Sequence, residues 1–301
     1  MKKLTVLPFL FHVCIVFRNT FFSLLIFLIC GCSQNSKGFS YPKLEGYDLA
    51  NPVMIHLKTE LDEISGIVYY PKDTSVFAIN DELGLLYKIY IRKNIKVLKW
   101  KFSSEGDYED LVLHDSTFYA LQSNGNIKSF KFLSKDSVTV ESGQLPLAGR
   151  NDFESLYYDN FHQHLFLVCK DCEIDTRKTI SAFSFNPDDQ TFVDEAAYQI
   201  DVSQIDKLLG NNKTKFKPSA AAIHPLTKEL YLISSVTKAI AIADRDGKVR
   251  EALYIDPRLF KQPEGLTFTP AGDMIISNES AGSGAPNILI FKYKPLLNEK
   301  G

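Results

Sequence analysis

Three glutamates occupy the same position in a segment that recurs along the chain. The five segments read "EISGIVYY", "DYEDLVLH", "DFESLYYD", "KPSAAAIH" and "QPEGLTFT", and their third residues are Ser65, Glu109, Glu154, Ser219 and Glu264. Carboxylates brought to one point repel each other unless a cation or hydrogen-bond donors offset their charge. Oxygen ligands from separate segments suit Ca²⁺ before Mg²⁺, because calcium accepts irregular and higher coordination. We therefore predict a calcium site at Glu109, Glu154 and Glu264, assisted by Ser65.

A second group of polar residues belongs to two short stretches that correspond to each other. "INDE" at 79–82 and "SNES" at 277–280 align Asn80 with Asn278 and Asp81 with Glu279. We expect these four residues to bind a ligand on the same face as the glutamates. Two alternatives stay open. Asn and Asp are ordinary turn residues, and each glutamate alone would serve to accept hydrogen bonds from backbone amides at a strand start.

The spacing of the repeat predicts the elements that position these residues. Successive third residues lie 44, 45, 65 and 45 positions apart. A period in the mid-forties with several short strands per unit is typical of propeller blades, each a four-stranded antiparallel sheet. The first strand of every blade lines a central channel, so equivalent positions at its mouth form a ring. We predict an all-β, five-bladed β-propeller.

Strand patterns support the blade count. The first unit has strand patterns at 66–70, 75–79, 85–91 and 96–102. The third unit has them at 164–168, 179–185 and 191–200. Its extra length predicts a short helix at 201–209 before the fourth blade, with Asp201 or Ser203 as its N-cap.

The last unit carries only three strand patterns, at 265–268, 273–277 and 287–293. An unpaired outer edge promotes aggregation, and propellers commonly close their ring with a strand from the N-terminus. We therefore predict that residues 52–57 supply the missing strand.

The first 32 residues have the pattern of a bacterial export signal. Lys2 and Lys3 begin a positive region, and the apolar run at 21–31 is too short to span a bilayer comfortably. Cys32 follows a small glycine, as in a lipobox. We predict a signal peptide at 1–32 with Cys32 lipidated, a tether at 33–50 and the propeller at 51–301, exported and lipid-anchored in the cell envelope. A plain membrane anchor is the alternative.

Charge and cysteine content exclude some classes of binding partner and metal site. The net charge is -2, and no block of Lys and Arg is interleaved with aromatic residues, so we expect no nucleic-acid partner. Cys169 and Cys172 lack a second cysteine pair, which disfavours a four-thiolate zinc site. They are predicted to be structural, as a local disulfide or as free thiols. We expect a monomer.

The chain resembles the SdiA-regulated proteins, which are relatives of NHL-repeat propellers. The resemblance covers roughly residues 50–293 and depends on "EISGIVYYPKDTSVFAINDE", "YEDLVL", "FESLYYD" and "PEGLTFTPAGDMIISNE". It implies a five-bladed propeller with a bound calcium ion and no established biochemical activity. The fourth segment departs from the pattern, because "KPSA" at 217–220 lacks the glutamate.

Two classes of function fit these features. The first is a calcium-containing module that binds an unknown ligand or an envelope protein. The second is a calcium-dependent hydrolase, similar to propeller lactonases and esterases. The sequence favours the binding module and leaves any catalytic residue unknown, because His114, His162, His164 and His224 belong to turns that we predict on the opposite face.

Overall fold

Short runs rich in β-branched and aromatic residues, punctuated by Gly, Asn and Asp, form the strands of five antiparallel sheets. The computed structural model describes residues 39–91, 95–134, 137–193, 195–280 and 284–295. The described residues from Tyr41 onward belong to one compact unit. Before it only residues 39 and 40 are described, so the predicted signal peptide and Cys32 lie outside the described residues.

Each sheet is one blade of a five-bladed β-propeller, as predicted. The outer strand of the fifth blade is β1 (Val53–His56). The first blade contains β2 (Ile64–Tyr70), β3 (Ser75–Asn80), β4 (Leu85–Tyr90) and β5 (Lys96–Lys101). The second contains β6 (Tyr108–His114), β7 (Thr117–Gln122), β8 (Ile127–Ser134) and β9 (Ser137–Gly143). A 3₁₀ turn at Thr59–Leu61 connects β1 to the first blade.

The remaining blades follow in chain order. The third contains β10 (Phe153–Asp159), β11 (His164–Cys169), β12 (Thr179–Asn186), β13 (Thr191–Phe192) and β14 (Tyr198–Asp201). The fourth contains β15 (Ala220–Ile223), β16 (Leu230–Ser234), β17 (Ala239–Ala243) and β18 (Val249–Tyr254). The fifth contains β19 (Pro263–Phe268), β20 (Met274–Asn278) and β21 (Asn287–Phe291), followed by β1.

The innermost strands form a closed ring. β2 packs on β6, β6 on β10, β10 on β15, β15 on β19, and β19 back on β2. The hydrophobic core lies between neighbouring blades. At the closure, Ile64 and Ile67 of the first blade pack with Ile275 and Ile288 of the fifth. These contacts remove apolar surface from water at the interface between the first and fifth blades.

The blade-three outer edge differs from the predicted single strand at 191–200. β13 pairs with Phe185 and Asn186 at one end of β12, whereas β14 pairs with residues 179–182 at the other end. The sequence between them, "VDEAA" at 193–197, combines acidic residues and alanines, which are depleted in strands. The edge is therefore split into two short strands.

The predicted helix is present as α1 (Val202–Leu209). The Asp201 carboxylate accepts a hydrogen bond from the Ser203 backbone N–H at 2.8 Å, which makes Asp201 the N-cap. Gly210 ends the helix in the left-handed conformation that glycine adopts without a Cβ penalty. No helix among the described residues is long and apolar enough to span a bilayer.

The packed domain begins before the predicted boundary at residue 51. Leu44, Tyr47 and Leu49, which fall in the predicted tether, are buried against the fourth and fifth blades. The Tyr47 hydroxyl donates to the Gly272 carbonyl at 2.6 Å and lies 2.8 Å from Nε2 of His224. Apolar residues spaced within a polar stretch thus dock residues 44–49 on the propeller.

β1 closes the ring as predicted, because it pairs antiparallel with β21 from Val53↔Ile290 to His56↔Asn287. We expect a chain that begins at Thr59 to be less stable than one that begins at Asn51 by about 3 kcal/mol or more, since it loses the packing of Ile55 and Leu57. It also exposes β21 as an unpaired edge. Thermal and urea unfolding of both chains measure the difference. Equal stability of the two chains would show that β1 does not close the fold.

Candidate metal and ligand site at the channel mouth

Each of the three glutamates is the extra residue of a β-bulge at the start of an innermost strand. In β6, Tyr108 pairs with Gln122 and Asp110 with Leu121, which leaves Glu109 without a partner in the ladder. The same register shift leaves out Glu154 in β10 and Glu264 in β19. A bulge bends the strand and redirects the side chain of the extra residue. The three carboxylates are thereby turned away from the blade faces and toward the channel mouth.

A cavity of about 500 Å³ lies at this mouth. All five blades contribute to its lining, which consists of Asp81, Glu109, Glu154, Lys170, Ser235, Val236, Lys238, Gln262, Glu264 and Glu279. Five carboxyl groups and two ammonium groups therefore share one polar cavity. The structure brings together five of the predicted residues: Asp81, Glu109, Glu154, Glu264 and Glu279.

The other predicted residues have structural contacts instead. Ser65 is buried and is not among the residues that line the cavity. The Asn80 side-chain oxygen accepts backbone N–H groups of residues 82 and 83, as in an ordinary turn. Asn278 is fully buried and donates to the Leu259 carbonyl and to the side-chain oxygen of Asn287. The geometry gives Ser65, Asn80 and Asn278 no direct access to a ligand in the cavity.

Four lining residues were not predicted from the sequence: Lys170, Ser235, Lys238 and Gln262. A signal for two of them exists, because the residue directly after the second strand of each blade forms a second ring. Its members are Asp81, Ser123, Lys170, Ser235 and Glu279. Extending the alignment of "INDE" with "SNES" to the other three blades identifies Lys170 and Ser235 as mouth residues.

Burial of like charges shifts the proton affinity of the cavity carboxyls. Burial, followed by the Asp107 carboxylate, raises the pKa of Glu109 to about 8. Burial also raises the pKa of Glu279 to about 8 and that of Glu264 to about 7, although Lys170 opposes the shift at Glu264. For Asp81, burial and the Glu63 carboxylate raise the pKa to about 6. The cavity disfavours additional negative charge and favours a cation.

Two carboxylate oxygens of the cavity have no hydrogen-bond partner. They are Oδ1 of Asp81 and Oε2 of Glu154. Glu154 is only 9% exposed, and its other oxygen, Oε1, is ion-paired with Lys170. An unpaired buried acceptor costs free energy unless a cation or donor satisfies it. Glu154 Oε2 is thus positioned to accept a further ligand.

The donor set fits a hard cation, but the carboxylates are not drawn together into a cage. Within the described part of the chain, one group of three candidate ligands has its atoms within 4.8 Å of one another: Cys169, Cys172 and Asp175. Those cysteines form a disulfide, which removes their thiolates as ligands. An ion at the mouth would be held by Glu109, Glu154 and Glu264, with the three side chains turned toward it.

The disulfide decides between the alternatives left by the sequence for Cys169 and Cys172. It closes the loop that follows β11, and this loop carries Lys170.

None of the histidines His114, His162, His164 and His224 lines the mouth cavity. His224 is fully buried beside Tyr47, and burial lowers the pKa of its imidazole. The histidines therefore supply no general base at the mouth.

Comparison with known proteins identifies the fold class. The sequence matches no protein-family model and no curated protein. Glutaminyl cyclase from Myxococcus xanthus is similar in structure with a TM-score of 0.52 at 12% identity, over 80% of this chain and 96% of that chain. Regucalcin from Agrobacterium tumefaciens, described as a calcium-binding protein, has a TM-score of 0.51 at 12% identity, over 83% and 95%. At these identities the likeness establishes the β-propeller fold alone.

The raised pKa values predict that the metal-free protein becomes more stable on acidification. Between the usual glutamate pKa of 4.5 and the folded value of about 8 for Glu109, the folded state binds more protons than the unfolded state. Stability therefore falls as the pH rises through this window. We expect Glu109→Gln, which cannot ionise, to flatten the dependence of the melting temperature on pH between 5 and 8 in chelator, relative to the wild type. An equal dependence of melting temperature on pH in the two proteins would contradict the raised pKa of Glu109.

Proposed function

We propose that this propeller binds a calcium ion at the channel mouth and uses that ion to organise a binding site for a ligand or a partner protein. The observation that carries the proposal is the buried, unpartnered Oε2 of Glu154 in a cavity shared by five carboxyl groups. A cluster of acids alone is common on protein surfaces. A buried carboxylate with one ion-paired oxygen and one open oxygen is uncommon, because a buried acceptor without a partner costs free energy.

Calcium is the cation that the donor set favours. Glu109, Glu154 and Glu264 come from three blades and offer only oxygen, and Asp81 and Glu279 lie beside them. Calcium takes six to eight oxygen ligands in flexible geometry, whereas Mg²⁺ demands a near-ideal octahedron and keeps several waters. The calcium-binding propeller with which the chain shares its fold at a TM-score of 0.51 is consistent with this choice.

Hydrolysis is the second candidate function. The observation that favours it is the pKa of about 8 for Glu109, since a group that titrates near neutral pH is suited to general acid or base catalysis. A bound calcium ion would supply polarisation of a carbonyl or ester oxygen. Turnover of a panel of lactones and esters by the calcium-loaded protein, with loss of turnover in Glu109→Gln at calcium concentrations that still saturate that variant, distinguishes catalysis from binding alone.

We also propose that the chain is related to the SdiA-regulated proteins and is exported. The motifs that resemble SdiA-regulated proteins fall on β2, β3, β6, β10, β19 and β20, which are the strands that lead into the mouth. Export is supported by the Cys169–Cys172 disulfide, because disulfides persist mainly in oxidising compartments. We propose a monomer attached to the envelope through a lipid at Cys32, with an envelope ligand or protein as its partner.

Calcium binding is tested by calorimetry on chelator-treated protein. We expect heat on calcium addition and a rise in melting temperature, because a ligand at a hundredfold excess over its Kd stabilises the folded state by about 2.7 kcal/mol. Mg²⁺ should bind more weakly. Glu264→Gln should weaken calcium binding about tenfold or more by removing a charged ligand. The control Glu141→Gln, an exposed residue of β9, should bind like the wild type. Absence of heat and of a thermal shift at millimolar calcium would refute the metal site.

The lipid anchor is tested separately in the native host. We expect Cys32→Ala to abolish lipid modification and to shift the protein out of the lipoprotein fraction or leave it unprocessed. Membrane fractionation with mass spectrometry of the mature N-terminus gives the answer. Unchanged membrane partition together with retention of residues 1–31 would instead support a transmembrane anchor.

A further inference from the structure

Two lysines line the mouth, and one of them, Lys170, lies beside the bulge glutamates. Lys170 is the first residue after β11, and its Nζ is ion-paired with Oε1 of Glu154. Glu109 and Glu264 line the same cavity as this ammonium. Lys170 therefore acts electrostatically on all three bulge glutamates, which come from three different blades.

The backbone that carries Lys170 is fixed to the strand that carries Glu154. The backbone N–H groups of Lys170 and Asp171 donate to the Asp152 carbonyl at 2.8 and 3.1 Å. The Cys169–Cys172 disulfide closes the loop around them. The Asp171 carboxylate is paired with Lys217 at 2.6 Å and with Arg150 at 3.0 Å. These contacts place the lysine and the glutamate side by side before any ligand arrives.

The side chain of Lys170 keeps a route to solvent. It is 25% exposed, whereas the Glu154 side chain is 11% exposed. Four rotatable bonds allow the ammonium to swing outward while the loop stays in place. The second lysine of the cavity, Lys238, has a different contact, since its Nζ donates to the Lys261 carbonyl. Of the two lining lysines, Lys170 is thus the one ion-paired with a bulge glutamate.

We infer that Lys170 is a built-in cation of the mouth, which neutralises the glutamates in the metal-free protein and must be displaced by an incoming cation. It thereby sets the cation concentration at which the site fills. Where the incoming cation is calcium, the inference rests on the proposed function. The neutralising role of Lys170 in the metal-free protein does not depend on the proposed function.

Electrostatics gives the direction of the effect. An ammonium and a dication that share one set of carboxylates repel each other, and the repulsion strengthens as the site is removed from water. Replacing the lysine by methionine keeps an unbranched side chain of similar length and removes the charge. We expect Lys170→Met to bind calcium about tenfold or more tightly than the wild type. Lys170→Arg, which keeps the charge, should stay close to wild-type affinity.

A matched control comes from Lys217, a lysine before β15 that is ion-paired with Asp171 of the Lys170 loop. Lys217→Met also removes one positive charge and one ion pair, but that pair is with Asp171 and Lys217 does not line the mouth cavity. It should change calcium affinity no more than about twofold, as expected for a partly exposed pair. Calorimetric titration of the four proteins with calcium measures the affinities. Weaker or unchanged binding in Lys170→Met, or equal tightening in the Lys217→Met control, overturns the competition.

Melting in chelator tests the neutralising role without any metal. Lys170→Met should melt below both the wild type and Lys217→Met at pH 8, because Glu154 is left buried and unpaired. The double variant Lys170→Met, Glu154→Gln should recover most of the loss, since the unpaired charge is gone. If neither the wild type nor Lys170→Met binds calcium, the calcium proposal fails. Melting in chelator then decides by itself whether Lys170 neutralises the glutamates. Additive effects of the two substitutions would show that Lys170 does not neutralise Glu154.

Discussion

Like charges brought to a single axis are the constraint on which the rest of this structure depends. A propeller places equivalent residues of its innermost strands around one channel. Three of these positions hold glutamates on β-bulges, and Asp81 and Glu279 join them from the next ring outward. Burial keeps water from screening their repulsion, so the carboxyl groups either hold protons or need a positive charge at the mouth. Lys170 supplies one within the chain, and a bound dication would supply more.

The scaffold resists this repulsion through contacts between neighbouring innermost strands. The buried Asp110 carboxylate accepts the N–H groups of Leu111 and Leu156, each at 2.7 Å, and so connects β6 to β10. The Ser219 hydroxyl donates to the Pro263 carbonyl at 2.6 Å, which connects the fourth blade to the fifth. A Cβ on Gly66 would lie 2.2 Å from Oδ1 of Asp110, so the first and second blades approach as closely as they do only with glycine there. Such short connections hold the mouth at a fixed width.

The periodic part of this arrangement was readable in the sequence. The spacing of the glutamates predicted five blades, the missing strand predicted closure by β1, and the apolar pattern before Gly210 predicted α1. These features depend on local pattern and on the need to pair every edge, both of which a sequence carries. The grouping of Glu109, Glu154 and Glu264 followed from the repeat alone.

Features set by tertiary contacts were not readable in the same way. A bulge depends on the register between two strands, which local sequence does not specify. The folded structure therefore decides that Glu154 faces the mouth while Ser219 is hydrogen-bonded within the scaffold. Lys170 was not predicted because the alignment of "INDE" with "SNES" covers only two of the five loops that follow a second strand. The early start of the domain at Leu44 depends on docking against distant blades. Long-range contacts of this kind override local composition.

The central claim is that a cation bound among Glu109, Glu154 and Glu264 takes the place of the Lys170 ammonium. An anomalous difference map from crystals grown with calcium tests it most directly. The account predicts one peak at the mouth with oxygens of all three glutamates about 2.3–2.6 Å away and the Lys170 side chain turned outward. A map with no peak there, and Lys170 still paired with Glu154 at saturating calcium, would contradict it.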